Sequence, residues 1–272
     1  MIIVSISGGL GNQMFQYSSA MALAYRCGHA CYCDIGSFER LSTHSGLVLD
    51  RIFQGINLAS KQDILNLKGS DSLFANMRRR LRWKKSFYSE WGHGSILPDF
   101  HVDMYLEGYF QNPLNWESRK FDIRSRISVA APYESREKLE SRIVGVHVRR
   151  GDFLQNDHLN IVTLDYYKKA FSFFEGDEVI FRVFSDDFNW VKENFSEFPN
   201  IQMVRTSIDE LDDWYSLMAC DDFIIPNSSF SWWAAYLGRA KEKKVIIPRN
   251  WTRELSSESW VPKFERESWI RI

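Results

Sequence analysis

The chain has 272 residues, and its 34 Lys and Arg nearly balance 35 Asp and Glu, for a formal net charge of -1. That balance gives no general argument for nucleic-acid binding, and no apolar run approaches transmembrane length. The length allows one large domain or two smaller ones, each with its own core.

The four cysteines, Cys27, Cys31, Cys33 and Cys220, form neither a disulfide framework nor paired Cys-x-x-Cys metal spacing, and read as small buried hydrophobes in a reducing compartment. Aromatic residues make up 15% of the chain, with 10 Trp. They suit core packing or stacking against the apolar face of a sugar, and composition alone does not separate the two.

Met1 to Ser7 reads as a buried strand and Gly8-Gly9-Leu10-Gly11 as a tight turn. Asn12 to Cys27 reads as a helix whose apolar surface runs through Met14, Phe15, Met21, Ala22 and Tyr25 and stops at Gly28. His29 to Ile35 resumes an extended pattern and completes a βαβ unit. Gly9 and Gly11 would let backbone N–H groups approach a phosphate or sugar oxygen closely. As a dinucleotide fingerprint the turn is weak, because Met14 stands where the third glycine belongs. Asp34 nevertheless lies where an acid would read a ribose, so an NAD-dependent oxidoreductase remains an alternative. The direct entry into an apolar strand, without a basic leader, predicts a cytoplasmic protein.

Residues 36 to 140 carry less pattern. Ser60-Lys61-Gln62-Asp63 marks a helix start, and Asp71 to Lys85 a second helix bearing the basic run Arg78-Arg79-Arg80-Leu81-Arg82-Trp83-Lys84-Lys85. Such a run is ordinarily a solvated face, and at a membrane it would attract anionic headgroups or a diphosphate-linked acceptor. Tyr105 to Gln111 reads as a short strand and Asn115 to Lys120 as a helical turn after Pro113.

From Arg142 the rhythm is regular. Strands at Ile143 to Arg149, Val179 to Phe184, Ile201 to Val204, Asp222 to Ile225 and Val245 to Ile247 alternate with helices near Asp165 to Phe174, Asp187 to Phe195, Asp209 to Cys220 and Ser229 to Leu237. That alternation predicts an α/β fold with a doubly wound parallel sheet, in which ligands bind beyond the carboxyl ends of strands. Boundaries follow at 1–140 and 141–272, with the C-terminal tail free to return to the first domain.

Three strand ends carry chemistry. The first is His147-Val148-Arg149-Arg150-Gly151-Asp152, where alternation puts the two arginines on opposite faces, one for a ligand and one held in structure. A guanidinium fork pairs two phosphate oxygens and keeps its charge in any surroundings. The second is Phe184-Ser185-Asp186-Asp187, where one carboxylate would cap a helix and the other would accept hydrogen bonds from a base or ribose. The third is Asn227-Ser228-Ser229-Phe230-Ser231, whose hydroxyls and helix-start N–H groups would cradle an anion. The Asp pairs at 212–213 and 221–222 lack metal-ligand spacing, so no metal is expected.

At these elements, and at Gly9-Leu10-Gly11-Asn12-Gln13-Met14, Trp190 and Trp232-Trp233-Ala234-Ala235-Tyr236-Leu237, the chain resembles GDP-fucose-dependent fucosyltransferases. It is most similar to the alpha-1,2-fucosyltransferases of glycosyltransferase family 11. The resemblance implies a GT-B-like fold of two facing Rossmann-like halves, with an acceptor-side domain at 1–140 and a GDP-fucose-binding domain at 141–272. It also implies inverting transfer of L-fucose to the 2-hydroxyl of a terminal galactose, without a metal or other cofactor.

By the same resemblance, Arg150 binds the diphosphate and neutralises charge on the departing GDP, while Arg149 and His147 shape that site. Ser228, Ser229, Phe230 and Ser231, with Asn227, border the phosphates, and Ser185, Asp186 and Asp187 the nucleoside. Gly9 and Gly11 join the donor-contacting set. Asn12 matches a residue important in related protein O-fucosyltransferases, although an amide orients a proton rather than removing it. Asp152 is expected to brace the arginine pair, which suits it poorly as a base. Asp157 and His158 are further base candidates, and the base stays unassigned. The implied partners are GDP-fucose and a galactose-terminated oligosaccharide, lipid-linked if the enzyme works at the inner face of a membrane and touches it through Arg78 to Lys85. The alternatives are a fucosyltransferase of another linkage, the NAD-dependent oxidoreductase, and a non-catalytic nucleotide-sugar-binding module.

Overall fold

A computed structural model describes residues 1–40, 46–70, 72–81, 84–90, 94–117, 121–128, 141–155, 162–204, 209–240, 242–251 and 269–272. The chain divides into two compact units, Met1–Ser128 and Val129–Ile272.

In the first unit β1 (Ile2–Ser5) is buried because its β-branched side chains are covered on both faces. The chain turns through Gly8, at φ 76°, into α1 (Leu10–Cys27). Gly28 ends that helix in the left-handed conformation, its N–H reaching the carbonyls of Ala24 and Tyr25. The chain then runs back as β2 (Cys31–Asp34), parallel to β1, closing the expected βαβ unit.

After α2 (Gly36–Arg40), α3 (Lys61–Lys68) starts where the Ser60 hydroxyl accepts the Asp63 N–H. The following helix, α4 (Leu73–Arg80), is shorter than the expected span, because Ser72 caps it and Leu81 closes it. β3 (Phe87–Ser89) has no clear pattern in the sequence. It is followed by β4 (Met104–Glu107) and α5 (Leu114–Glu117). The sheet order is β2-β1-β4-β3, all parallel.

The second unit contains β5 (Arg142–Val148), α6 (Leu164–Ser172), β6 (Val179–Ser185), α7 (Phe188–Asn194), β7 (Ile201–Met203), α8 (Glu210–Met218), β8 (Asp222–Ile224), α9 (Ser229–Leu237), β9 (Val245–Ile247) and β10 (Trp269–Arg271). All are where the alternation predicts them except β10. The tail, which the sequence leaves free to return to the first domain, ends as a strand on the open edge of β9, pairing Ile270 with Ile246. The parallel order is β10-β9-β8-β5-β6-β7, so the direction of winding reverses between β5 and β8. In the first unit the corresponding reversal lies between β1 and β4. Such switch points open crevices beyond the strand ends.

Side chains alternate across β5. Val144, Val146 and Val148 join Tyr167, Phe171, Val191 and Phe195 in one buried cluster, placing α6 and α7 on that face. Gly145 faces α8, where an added Cβ would lie 2.7 Å from Leu217 Cδ1 and 3.0 Å from Cys220 Sγ. Trp116, Trp214, Trp232 and Trp233 are fully buried, so much of the aromatic content is core. Among the described residues no helix is long and apolar enough to cross a membrane.

The closeness of α8 makes Gly145 a sensitive position. Gly145→Val should cost roughly 1–3 kcal/mol through overpacking, read as a lower urea midpoint. An unchanged midpoint would show that α8 is not packed against β5 as described.

Candidate active site

β5 ends at Val148, and both arginines follow it. The alternation that would set them on opposite faces therefore stops before it reaches them, and each is held by acid. Arg149 pairs with Asp152 Oδ1 at 2.8 Å and with Asp186 Oδ2 at 3.0 Å. Arg150 pairs through Nε with Asp187 Oδ2 at 3.2 Å and lies over the Trp190 ring, 4.4 Å from its centroid. Asp186 also accepts the Arg150 backbone N–H at 2.9 Å. A Cβ on Gly151 would come within 2.9 Å of the Asp186 carboxylate, so this position needs glycine for the close approach.

The second strand end is tied to the first. Asp187 caps α7, accepting the Trp190 N–H at 3.1 Å, and its other oxygen holds Arg150. Asp186 holds Arg149, so both carboxylates serve the arginines. Ser185 is buried and its hydroxyl accepts the Asp187 N–H at 2.9 Å. Asp152 braces Arg149 alone and is 56% exposed. Two guanidinium charges against three carboxylates leave the cluster with one net negative charge.

His147 sits on the Gly145 side of β5. Its ring lies 5.5 Å from that of Phe230 at the start of α9. Burial, with Arg149 as a second cause, pushes its pKa down to about 3. It is therefore a neutral imidazole, and among the described residues its buried Nδ1 has no hydrogen-bond partner. The Tyr167 hydroxyl fixes this strand end by donating to the His147 carbonyl at 3.0 Å.

Beyond β8, Asn227 donates from Nδ2 to the Trp251 carbonyl at 2.6 Å, while its buried Oδ1 has no partner among the described residues. Ser228 is the N-cap of α9 but makes no side-chain cap hydrogen bond. Ser231 is buried and donates to the Ser228 carbonyl at 3.3 Å, whereas Ser229 and Phe230 are partly exposed. Helix-start N–H groups lack intrahelical acceptors and carry partial positive charge, so this end suits an anion. The switch point thus joins the arginine cluster after β5 to the hydroxyl-rich start of α9 after β8.

Gly9, Gly11 and Asn12 lie in the first unit, at its own switch point. Gly9 is the N-cap of α1, and Gly11 is buried in the first turn. The glycine with positive φ is Gly8, where a Cβ would lie 3.0 Å from Asn12 Nδ2. Asn12 Oδ1 accepts from Gln111 Nε2 at 2.9 Å, linking the turn after β1 to the segment after β4. Gln13 and Gln16 stitch the same loops together by bonding the carbonyls of Gly8, Gly46 and Gly108.

Asp34, the residue on which the dinucleotide reading leaned, is buried. Its oxygens accept the Tyr105 hydroxyl at 2.6 Å and the Gly36 N–H at 2.9 Å. Met14 fills the third-glycine position as a fully buried core residue. The oxidoreductase reading loses its ribose contact. Asp157 and His158 lie outside the described residues. Among the described residues, no group of three or more His, Cys, Asp or Glu side chains could hold a metal ion.

The profile of glycosyl transferase family 11 matches residues 1–272. The chain belongs to that family. An alpha-1,2-colitosyltransferase from Escherichia coli is 28% identical over 294 residues, covering 100% of this chain and 98% of the relative. A galactoside alpha-(1,2)-fucosyltransferase 1 from Saimiri sciureus is 32% identical over 103 residues, covering 35% of this chain and 28% of its own. Among solved structures, the NodZ alpha-1,6-fucosyltransferase soaked with GDP-fucose matches with a TM-score of 0.51 at 17% identity, covering 87% of this chain and 92% of that one. Its Bradyrhizobium counterpart structure gives 0.52. These likenesses show the fold, which is α/β of the GT-B-like class.

The sequence names Trp190 without its partner and gives no sign of the other supports of this site. Trp190 under Arg150, Tyr167 on the His147 carbonyl, and Gln111 on Asn12 are all long-range in sequence or fixed by helix phase. A Gly8 signal was available, since a glycine pair before a helix requires one residue to take the turn.

Because the His147 pKa is depressed in the folded protein, its contribution to stability is present above its unfolded value near 6.5 and is lost as pH falls toward about 3. His147→Gln should flatten the stability curve in that window, by up to about 1.4 kcal/mol per pH unit relative to the parent. Parallel curves of chemical unfolding against pH for the two proteins would contradict a buried neutral imidazole.

Proposed function

We propose that this family 11 protein is an inverting glycosyltransferase that moves L-fucose from GDP-fucose to the 2-hydroxyl of a terminal galactose on an oligosaccharide, without a metal. The observation that carries the reading is the acid-held arginine pair beside the hydroxyl-rich start of α9, at the β5–β8 switch point. Two relatives bear alpha-1,2 names, and one of the structural relatives was soaked with GDP-fucose. In this reading the second unit binds the donor and the first unit the acceptor. The protein works at the cytoplasmic face of a membrane if its acceptor is lipid-linked.

Breaking the sugar–phosphate bond builds negative charge on the leaving diphosphate and positive charge on the sugar, so a fixed guanidinium lowers the barrier selectively. Asp187 and Trp190 orient Arg150 through its Nε edge and its face. That leaves its Nη donors for phosphate, since among the described residues the guanidinium makes that single ion pair. The start of α9 supplies further N–H and hydroxyl donors.

A dianionic donor entering a cluster that already carries net negative charge must displace a carboxylate. Asp152 is the one that gives way. It is the most exposed of the three and returns to water at least cost, handing an edge of Arg149 to the donor. Its role is then to hold Arg149 in waiting, and the proton-accepting base lies elsewhere. Asn12 orients the acceptor hydroxyl.

The reaction is tested by incubating the protein in EDTA with GDP-fucose or GDP-colitose and a panel of galactose-terminated oligosaccharides. An alpha-1,2-fucosylated product identified by mass and linkage is expected. Preference for the colitosyl donor would support a second reading, transfer of colitose in place of fucose, which the full-length 28% relative favours. Donor binding without transfer would indicate a non-catalytic module, and transfer to another hydroxyl another linkage.

Arg150→Ala should lower kcat by about 10²-fold or more while the protein still folds, and near-normal turnover would remove Arg150 from the reaction. Asp152→Asn should leave kcat within a few-fold and lower the donor KM. A loss of about 10²-fold in kcat with unchanged KM would instead make Asp152 the base.

A further inference from the structure

The helix α4 is fastened to the first unit by one side and presents an apolar side to solvent. Its attachment is Arg79, which is buried and donates to the carbonyls of Lys68 at 3.1 Å and Ser70 at 2.8 Å. Arg79 also bonds Asn76 Oδ1, and its guanidinium lies 5.5 Å from the Phe87 ring centroid. At 100° per residue, Leu73, Met77, Leu81 and Phe74 fall within a contiguous arc of about 100°, well away from Arg79. All four are exposed, Leu73 at 89% and Phe74 at 64%.

Scattered exposed apolar residues are ordinary, but four on one face of a short helix form a surface that calls for a partner. Arg78 borders this face and is exposed, as is Lys85 just beyond the helix. From Ser72 to Tyr88 the sequence has six Lys and Arg and no Asp or Glu, in a chain whose overall charge is -1. An apolar face edged by cations, in a segment without acids, complements a surface that is apolar beneath and anionic on top.

We propose that α4, with Leu81 and Lys85 beyond its end, forms an interfacial anchor. Leu73, Phe74, Met77 and Leu81 enter the acyl boundary of an anionic bilayer, and Arg78 and Lys85 meet its headgroups. Arg79 is excluded from this contact and serves as the tether. It ties the helix to Lys68, Ser70 and β3, so that the unit is carried to the surface in a defined orientation. Within α4, helix phase thereby separates the structural Arg79 from Arg78, which faces the lipid. This inference stands apart from the proposed donor and acceptor, because it rests on the surface of α4 alone.

The test is co-sedimentation of the full chain with vesicles of phosphatidylcholine alone and of phosphatidylcholine with phosphatidylglycerol. Binding to the anionic vesicles that weakens with salt is expected, with little binding to the neutral ones. The pair Leu73→Ser and Phe74→Ser should reduce partitioning roughly tenfold or more, as should Arg78→Glu with Lys85→Glu. Both variants should keep the parental melting temperature, because the side chains are exposed.

The proposal is overturned if the parent protein stays in the supernatant with anionic vesicles, or if both variants bind as it does. It is also overturned if the parent fails to bind vesicles while sedimenting as a dimer that Leu73→Ser with Phe74→Ser dissociates. In that case the face is an interface between copies of the chain. An Arg79→Ala variant distinguishes tether from lipid contact. It should lower the melting temperature, whereas an Arg79 that contacted lipid would lower partitioning with no loss of stability.

Discussion

Two guanidinium groups on consecutive residues repel one another, and placing them at the end of a buried strand removes much of the water that would screen the repulsion. The second unit answers this with two consecutive carboxylates at the end of the neighbouring strand. Asp186 holds Arg149, and Asp187 holds Arg150 while capping α7. Much of the site's geometry follows from that pairing. It locks the exit of β5 to the exit of β6, demands glycine at 151, and stacks Arg150 on Trp190. A bidentate or stacked arginine is not replaceable by lysine, because the planar fork and face both do work that a point charge does not.

Sheet topology then decides what the pair can reach. Winding runs from β5 outward to β7 and restarts on the other side of β5 at β8, so the space above β5 and β8 is not closed by a connecting helix. Into that space come the arginines, the neutral His147 ring and the start of α9. The first unit repeats the device at β1 and β4, where Asn12 and Gln111 meet across the same kind of reversal. Family 11 membership and the GT-B-like class agree with two units built on parallel sheets.

Much of this was legible from residues alone because parallel strands buried on both faces read as apolar runs, and helices between them as periodic segments. Ser229 to Leu237 and Val245 to Ile247 have the bounds the pattern predicts. Legibility failed where a short element gains its order from neighbours. β3 has three residues, none fully buried, and exists because β4 offers an edge; β10 does the same at β9. The basic run after Ala75 reads as one feature in sequence, yet helix phase sends Arg79 inward and Arg78 outward.

The sequence by itself determined the α/β class and which charged and hydroxyl side chains stand at the strand ends. Hydrophobic period reports burial, and the Arg-Arg run after a strand consists of a residue type that pairs with phosphate oxygens. Which acid holds which arginine was decided only by the tertiary structure, because Arg150 and Asp187 are separated in sequence and meet through the parallel register that sets His147 beside Phe184. The same register sets Asp186 and Asp187 against the two arginines, and Asp34 is buried against Tyr105. Local pattern carries propensity and burial. Pairing between distant side chains depends on strand order and helix phase, which the three-dimensional packing alone supplies.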